Sequence, residues 1–545
     1  MIRWLGMFGM APWFTLLGAV GVSAQASRDL LTTESGVVQG TTNADHTVRI
    51  FKGVPFAAAP VGDLRWKAPQ PAAHWEGVRQ ADRFGSACLQ TNVFGDIYFR
   101  DAQPSEDCLN LNIWIPAKPA NAKLPVFVWY YGGGFVAGAN SEARYDGENL
   151  AKKGIIVVEP NYRLGVFGYF SYPELAKESG HNSSGNYGLL DQVAALHWVV
   201  KNIAAFGGNP NNITIGGESA GSLSVSALMA SPLSRTLFQK AIGESGAFFP
   251  SPKGGGRSLK TRAETEQFGV KFAESLGAKS LADMRAKPGK ELLAAAATYN
   301  RGFDFWPNVD GYYLPEDVPV IYAKGEQSHI PLLAGWNADE NKLSVLLAPQ
   351  KTTAKTFTEQ AKARFGDQAE QFLKLYPAST DEQAIRSAED LAGDDFIAFG
   401  NWKWIDQQRK TAHATVYQYL FEQLRPVKPG KKIGPLDASQ AGARHAGEIE
   451  YVFEALPSDE GVPWSKGDYK VSEAMAAYWS NFVKTGNPDG NGLPHWPKSE
   501  AANHYQVMHF SGKNIGASAD TFRARYEFLD LQSAKSPSSQ GAAAK

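Results

Sequence analysis

Residues 213–228 read ITIGGESAGSLSVSAL. A run of β-formers stops at Gly216-Gly217, the pair Glu218-Ser219 follows, and a helical pattern begins at once. A chain that leaves a strand and enters a helix within two residues must bend sharply. Glycines on either side of the bend let one backbone approach another. Gly217-Glu218-Ser219-Ala220-Gly221 fits G-x-S-x-G, where such a bend lifts a serine hydroxyl into the open. Five residues with three fixed recur by chance, so the strand before and the helix after give this copy its meaning. A helix starting beside Ser219 also points unpaired N–H groups and a partial positive charge at the serine.

The flanking sequence supplies the rest of a sheet. LPVFVWYYGGG (124–134) and IIVVEPNYRLG (155–165) are near-continuous apolar runs, as expected of strands buried on both faces. LLDQVAALHWVVKNIAAFGG (189–208) carries apolar residues at helical spacing and ends on glycines, which predicts a helix. VVQG (37–40), VRIFKGVPF (48–56) and LNLNIWIP (109–116) read as earlier strands, PLLAGWNA (331–338) and ATVYQYLFE (414–422) as later ones. Strands alternating with helices predict a mostly parallel sheet covered on both faces. Such sheets carry their working residues at the carboxyl ends of the strands. Segments 250–330 and 345–410 are richer in charge and helical pattern, and read as excursions that cap the sheet.

A serine hydroxyl needs a base to take its proton. Downstream of Ser219 stand His329, His413, His445, His495, His504 and His509, and spacing does not choose among them. The developing oxyanion needs donors. Gly132-Gly133-Gly134 at the end of a buried strand can turn bare N–H groups toward one point, joined by that of Ala220. Phe303, Phe305 and Trp306 could line a pocket, although aromatic runs more often pack a core.

The net charge of −1, from 54 basic and 55 acidic residues, offers no electrostatic case for nucleic acid or an anionic membrane. Residues 1–26 read as an export signal: Arg3, a mostly apolar stretch, then small residues that suit cleavage. No later segment reaches 18 continuous apolar residues, so stable membrane insertion is not expected, and a periplasmic or secreted location is. Cys88 and Cys108 are the only cysteines, and in an exported chain an even count suggests a disulfide. The tail from Gln532 (532–545) is small and polar and reads as disordered.

Beyond these local readings, the chain resembles the type-B carboxylesterases, the α/β-hydrolase family that includes the cholinesterases. The resemblance runs through FKGVPFAAAPVGDLRWKAPQP (51–71), SEDCLNLNIW (105–114), YYGGGFVAG (130–138), NYRLGVFGY (161–169), GNYGLLDQVAALHWVVKNIAAFGGNPNNITIGGESAG (185–221), AGWNADEN (334–341), HAGEIEYVF (445–453) and YWSNFVKTGNPDG (478–490). It implies an α/β-hydrolase fold in one large domain, residues 27–531. It also implies a serine ester hydrolase working through an acyl-enzyme on a small to medium ester, with no metal or organic cofactor. Its acid matches Glu340, its histidine His445, its oxyanion donors Gly133, Gly134 and Ala220, and its rim disulfide Cys88–Cys108. Glu218 and Ser245 match positions beside the triad.

Two positions and one loop depart from the family pattern. Gly216 and Asn110 stand where aromatic residues are usual, and the glycine is expected to loosen packing before the bend. The loop between the cysteines has Phe94, Tyr98 and Phe99 but no tryptophan, so the cholinesterase cation site does not carry over. Alternatives on the same fold are a catalytically silent binding protein, a feruloyl- or tannin-type esterase, a lipase, and a toxin-detoxifying esterase. Oligomeric state has no sequence signal.

Overall fold

The computed structural model describes residues 29–533, apart from 92, 96, 102, 118–121 and 253–257. The expected export signal and most of the expected tail lie outside the described residues. The last helix runs Arg523–Ser533 and buries Gln532, so residues 532 and 533, read as tail in the sequence, belong to it.

Eleven strands form the main sheet: β1 (Thr41–Thr42), β2 (Val48–Pro55), β3 (Asn110–Pro116), β4 (Leu124–Tyr130), β5 (Ile156–Pro160), β6 (Gly208–Glu218), β7 (Lys240–Glu244), β8 (Leu332–Asn337), β9 (Val416–Phe421), β10 (Gln506–Phe510) and β11 (Ile515–Ala519). Their spatial order is β11-β10-β9-β8-β7-β6-β4-β5-β3-β2-β1. The seven strands from β5 to β10 pair in parallel, and both edges are antiparallel. Every residue of β3, β5, β8 and β9 is buried, as two covered faces require. Gly36–Gln39 does form a strand, but in a small separate sheet with Leu30–Thr33 and Val78–Gln80.

The helices that matter for the site are α1 (Tyr187–Asn202), α2 (Ala220–Ala230), α3 (Asp381–Gly393), α4 (Phe399–Thr411), α5 (Lys466–Thr485) and α6 (Arg523–Ser533). α1 starts close to where its periodicity predicts but stops at Asn202, and Gly208 at the end of the predicted span already opens β6. α5 fills its inner face with Val471, Met475, Trp479 and Phe482, starts on a Ser465–Asp468 capping box and stops at Gly486 in the left-handed region. The second excursion is not purely a cap. α4 lies against β8 and β9, and its Trp404 sits over Gly243 of β7.

The bend between β6 and α2 needs both glycines of the motif. A Cβ on Gly221 would stand 1.9 Å from the carbonyl oxygen of Tyr130, and one on Gly217 2.6 Å from the same atom. Gly216 does not loosen the strand as expected. The ring of Phe127, from β4, occupies the space its side chain would take, 2.5 Å from an added Cβ. Asn110 is buried and polar for a reason of its own. Its amide donates to the carbonyls of Ser86 and Cys108 and its oxygen accepts from Asn140, tying the segment around the bonded cysteines to the sheet.

Candidate active site

Ser219 sits at the carboxyl end of β6 with φ 53° and ψ −118°. A non-glycine residue held there costs on the order of 1–3 kcal/mol, and its surroundings must impose it. Its N–H donates to the carbonyl of Glu244 at 2.9 Å, which locks the bend to β7. Ser219 Oγ then lies 2.9 Å from Nε2 of His445, and His445 Nδ1 lies 2.6 Å from Oε2 of Glu340. With the ring proton on Nδ1, facing the carboxylate, Nε2 is free to accept from the serine.

Glu340 is fixed from the other side. Its Oε1 accepts the N–H of Asn337 at 2.8 Å and the hydroxyl of Ser245 at 2.5 Å. Ser245 follows β7 and also donates to Glu448 at 3.3 Å, while the Asn337 amide donates to the other oxygen of Glu448 at 2.5 Å. Glu340, His445 and Glu448 thus share one buried network. Neither Asn337 nor Glu448 was expected as a member. Glu448 lies only three residues after His445, but no local pattern sets it apart from a surface glutamate.

Glu218 is buried with Oε1 3.3 Å from His445 Nε2. Burial pushes its pKa up to about 8 against the pull of His445. Burial likewise raises Glu244, whose carboxylate accepts from Trp479 at 2.7 Å. On His445 burial opposes the charge, but the carboxylates of Glu218 and Glu340 outweigh it, so its pKa moves up.

Opposite the serine, Gly133 (φ 101°) and Gly134 (φ 62°) turn in the left-handed half of backbone space. A Cβ on Gly133 would meet the carbonyl of Ala137 at 2.1 Å, so only glycine fits. Their two N–H groups donate to no group among the described residues. The N–H of Ala220 is the first of α2 and has no partner within the helix. Gly133, Gly134, Ala220, Glu218, Ser219 and His445 all line one cavity of about 500 Å³.

The walls of that cavity come from elsewhere in the chain. Phe94 and Ile97 belong to the loop closed by the Cys88–Cys108 disulfide. Phe303 and Trp306 line it as well, whereas Phe305 turns into the core against Phe268 and Phe272. The aromatic run therefore divides between the two roles weighed for it. Phe396 and Ile397 complete the wall beside His445.

This arrangement can transfer an acyl group: a hydroxyl against an imidazole, an imidazole against a carboxylate, and donors across the gap. The comparisons agree with that chemistry. The model of the carboxylesterase family matches residues 27–529. A fumonisin B1 esterase of Sphingopyxis macrogoltabida is 35% identical over 533 residues, covering 93% of this chain and 92% of its own. A para-nitrobenzyl esterase of Bacillus subtilis is 36% identical over 486 residues, covering 86% of this chain and 92% of its own. A solved PNB esterase superposes with a TM-score of 0.76 at 33% identity, over 92% of this chain and 99% of that one. The chain belongs to the carboxylesterase family and is a carboxylic ester hydrolase.

Proposed function

We propose that Ser219 is the nucleophile of this hydrolase, His445 its general base and acid, and Glu340 the carboxylate that orients the imidazole. Ser219 Oγ attacks the ester carbonyl while its proton passes to His445 Nε2. The carbonyl oxygen, now negative, takes hydrogen bonds from Gly133, Gly134 and Ala220. The tetrahedral intermediate breaks its bond to the alcohol oxygen, which leaves with the proton from His445. Water then attacks the acyl-serine, gives its proton to His445, and releases the acid as the serine recovers it. Water is the only co-reactant, so the cycle calls on no metal or organic cofactor.

The observation that carries this reading is the relay of 2.9 Å and 2.6 Å from serine to imidazole to carboxylate. The cavity suits a small to medium ester. We further propose that residues 1–26 are a cleaved signal and that the enzyme works outside the cytoplasm. The Cys88–Cys108 disulfide favours an oxidising compartment, and no helix among the described residues is long and apolar enough to cross a membrane.

The test uses a short p-nitrophenyl ester and a fluorophosphonate probe. Ser219→Ala is expected to lose on the order of 10⁶-fold in kcat, as removal of a catalytic serine does elsewhere, and to lose labelling by the probe. Full turnover in that variant would refute the assignment.

A further inference from the structure

His509 is one of the histidines downstream of Ser219 that the ester-hydrolase reading leaves without a role. It stands on β10, and its Nδ1 lies 2.9 Å from Oε2 of Glu422, the residue after β9. Its Nε2 lies 2.8 Å from Oγ of Ser518 on β11. The catalytic relay spans 2.6 Å and 2.9 Å between the same atom types. The sheet therefore carries a second serine–imidazole–carboxylate relay. β11 is the terminal strand, five strand spacings from β6, or roughly 24 Å from the catalytic serine across the sheet.

Strand register dictates this arrangement. His509 faces Gly516 across the antiparallel β10–β11 pair, and Ser518 stands two residues past Gly516. A period of two puts both side chains on one face, as diagonal neighbours. Gly516 has no side chain to stand between the ring and the serine. On the other side Leu420 pairs with His509 in parallel, and Glu422 lies two residues past Leu420, on the same face again. The N–H of Glu422 donates to the carbonyl of Phe510 at 2.9 Å and continues that pairing to the carboxylate. With the ring proton on Nδ1, facing Glu422, Nε2 accepts from the serine. The Ser518 hydroxyl meets its other acceptor, the carbonyl of Ala519, only at 3.5 Å. Ser518 is exposed, so an ester reaches it from solvent.

We propose that Ser518 is a second acylation site, which takes acyl groups from activated esters, aryl esters above all, and keeps them. Its Oγ bonds to the carbonyl carbon while its proton passes to His509 Nε2, and Glu422 steadies the imidazolium. The bond from that carbon to the aryl oxygen breaks, and the aryloxide leaves, to be protonated from His509 through solvent. The products are an acyl-serine and a phenol. The site differs from the catalytic one in a way that fixes its substrate. Ser518 lies within a strand, not at a bend onto a helix, so no helix N-terminus aims N–H groups at the oxyanion. One such donor is worth about 10²–10³-fold in rate. An aryloxide departs without that help, whereas the serine alkoxide, a poorer leaving group, does not. The acyl group therefore stays on Ser518.

The test uses the full chain carrying Ser219→Ala, so that the cavity does not consume the reagent, and excess p-nitrophenyl acetate. Trypsin then releases residues 514–523, NIGASADTFR, in which fragmentation separates Ser518 from Thr521. Mass spectrometry over a time course is expected to show one acetyl group accumulating on Ser518. Adding His509→Gln should slow that acetylation by about 10²-fold or more, the contribution of a general base, and Glu422→Gln should slow it by less. With Ser219 intact, Ser518→Ala should leave kcat on a short ester unchanged, which separates this site from the catalytic one. Thermal unfolding checks each variant, and His509→Asn replaces the glutamine variant if that one does not fold. Acetyl groups on lysines but none on Ser518 would overturn the proposal, as would equal rates on Ser518 with and without the imidazole.

Discussion

The two halves of the cavity are built differently. Apart from His445, the groups of the site sit where strands end: Gly133 and Gly134 after β4, Ser219 after β6, Ser245 after β7, Glu340 just beyond β8. Their backbones are held by parallel pairing on both sides, and their side chains by buried hydrogen bonds. The walls come from inserted segments, each kept in place by a local device: a disulfide behind Phe94 and Ile97, and behind Phe396 and Ile397 a π turn over Asp394–Ala398, whose Asp394 carboxylate accepts the hydroxyls of Tyr376 and Tyr526. Strand ends that are determined several times over can keep a relay within a few tenths of an ångström. Insertions held by local clamps can change shape without disturbing it. The first half should therefore govern how fast any ester reacts, and the second which ester reacts.

The largest effect that could break this contrast lies in the first half. Glu340→Gln keeps the shape of the side chain but removes the charge that stabilises the imidazolium and selects the Nδ1 tautomer. The loss expected in kcat is about 10⁴-fold, the size seen when a triad carboxylate becomes an amide. It should be nearly equal for all esters in a panel. A loss that varied widely with the substrate would show that the strand-borne groups also select.

A smaller effect is expected from the walls. The Cys88–Cys108 bond closes a loop spanning 20 residues in sequence. Replacing both cysteines by serine should lower stability by roughly 3 kcal/mol on the chain-entropy account. It should leave kcat on a small ester close to wild type, because none of the reacting groups lies in that loop. Denaturant unfolding and turnover of an acetate ester, measured side by side, check the split. A collapse of kcat in the folded variant would join the two halves.

The same contrast explains what the sequence reveals and what it hides. The strands β3, β4, β5, β8 and β9 are legible because burial on two faces demands continuous apolar runs, and the bend at Ser219 because it demands glycines. β7 is hidden: KAIGE is five residues long, opens on a lysine, and holds a glycine that leaves room for Trp404. His445 and Glu340 are indistinguishable from other histidines and acids by local pattern, since their role depends on contacts between residues 105 and 226 positions apart. Only resemblance to a known family picks them out. Phe396 had no such signal, and Glu448, though inside the segment HAGEIEYVF (445–453), takes no role from it. A π turn has no composition of its own, and Glu448 acts through an asparagine more than 100 residues away.

The smallest effect concerns Glu218, which belongs to the strand-borne half and whose Oε1 lies 3.3 Å from Nε2 of His445. His445 must be neutral to accept the serine proton, so activity falls as pH drops through its pKa. That pKa is raised: burial opposes the charge, but Glu218 and Glu340 overcome it, so the acid limb of kcat/KM should lie above the usual range of an imidazole. Burial raises the Glu218 pKa to about 8, while the charge on His445 pulls it back down. The two groups therefore titrate as a pair, and the limb reports the pair. Glu218→Gln removes one of three carboxylates, with Glu340 and Glu448, that favour the imidazolium. Its limb should move to lower pH by about one pH unit, the scale of a single nearby carboxylate, so that the variant retains relatively more activity in acid than the wild type. Plateau activity should change little, because the amide fills the same buried space. A limb that stayed in place would mean that Glu218 is neutral throughout and that Glu340 and Glu448 raise His445 without it. A limb that moved to higher pH would contradict the sign of the interaction altogether.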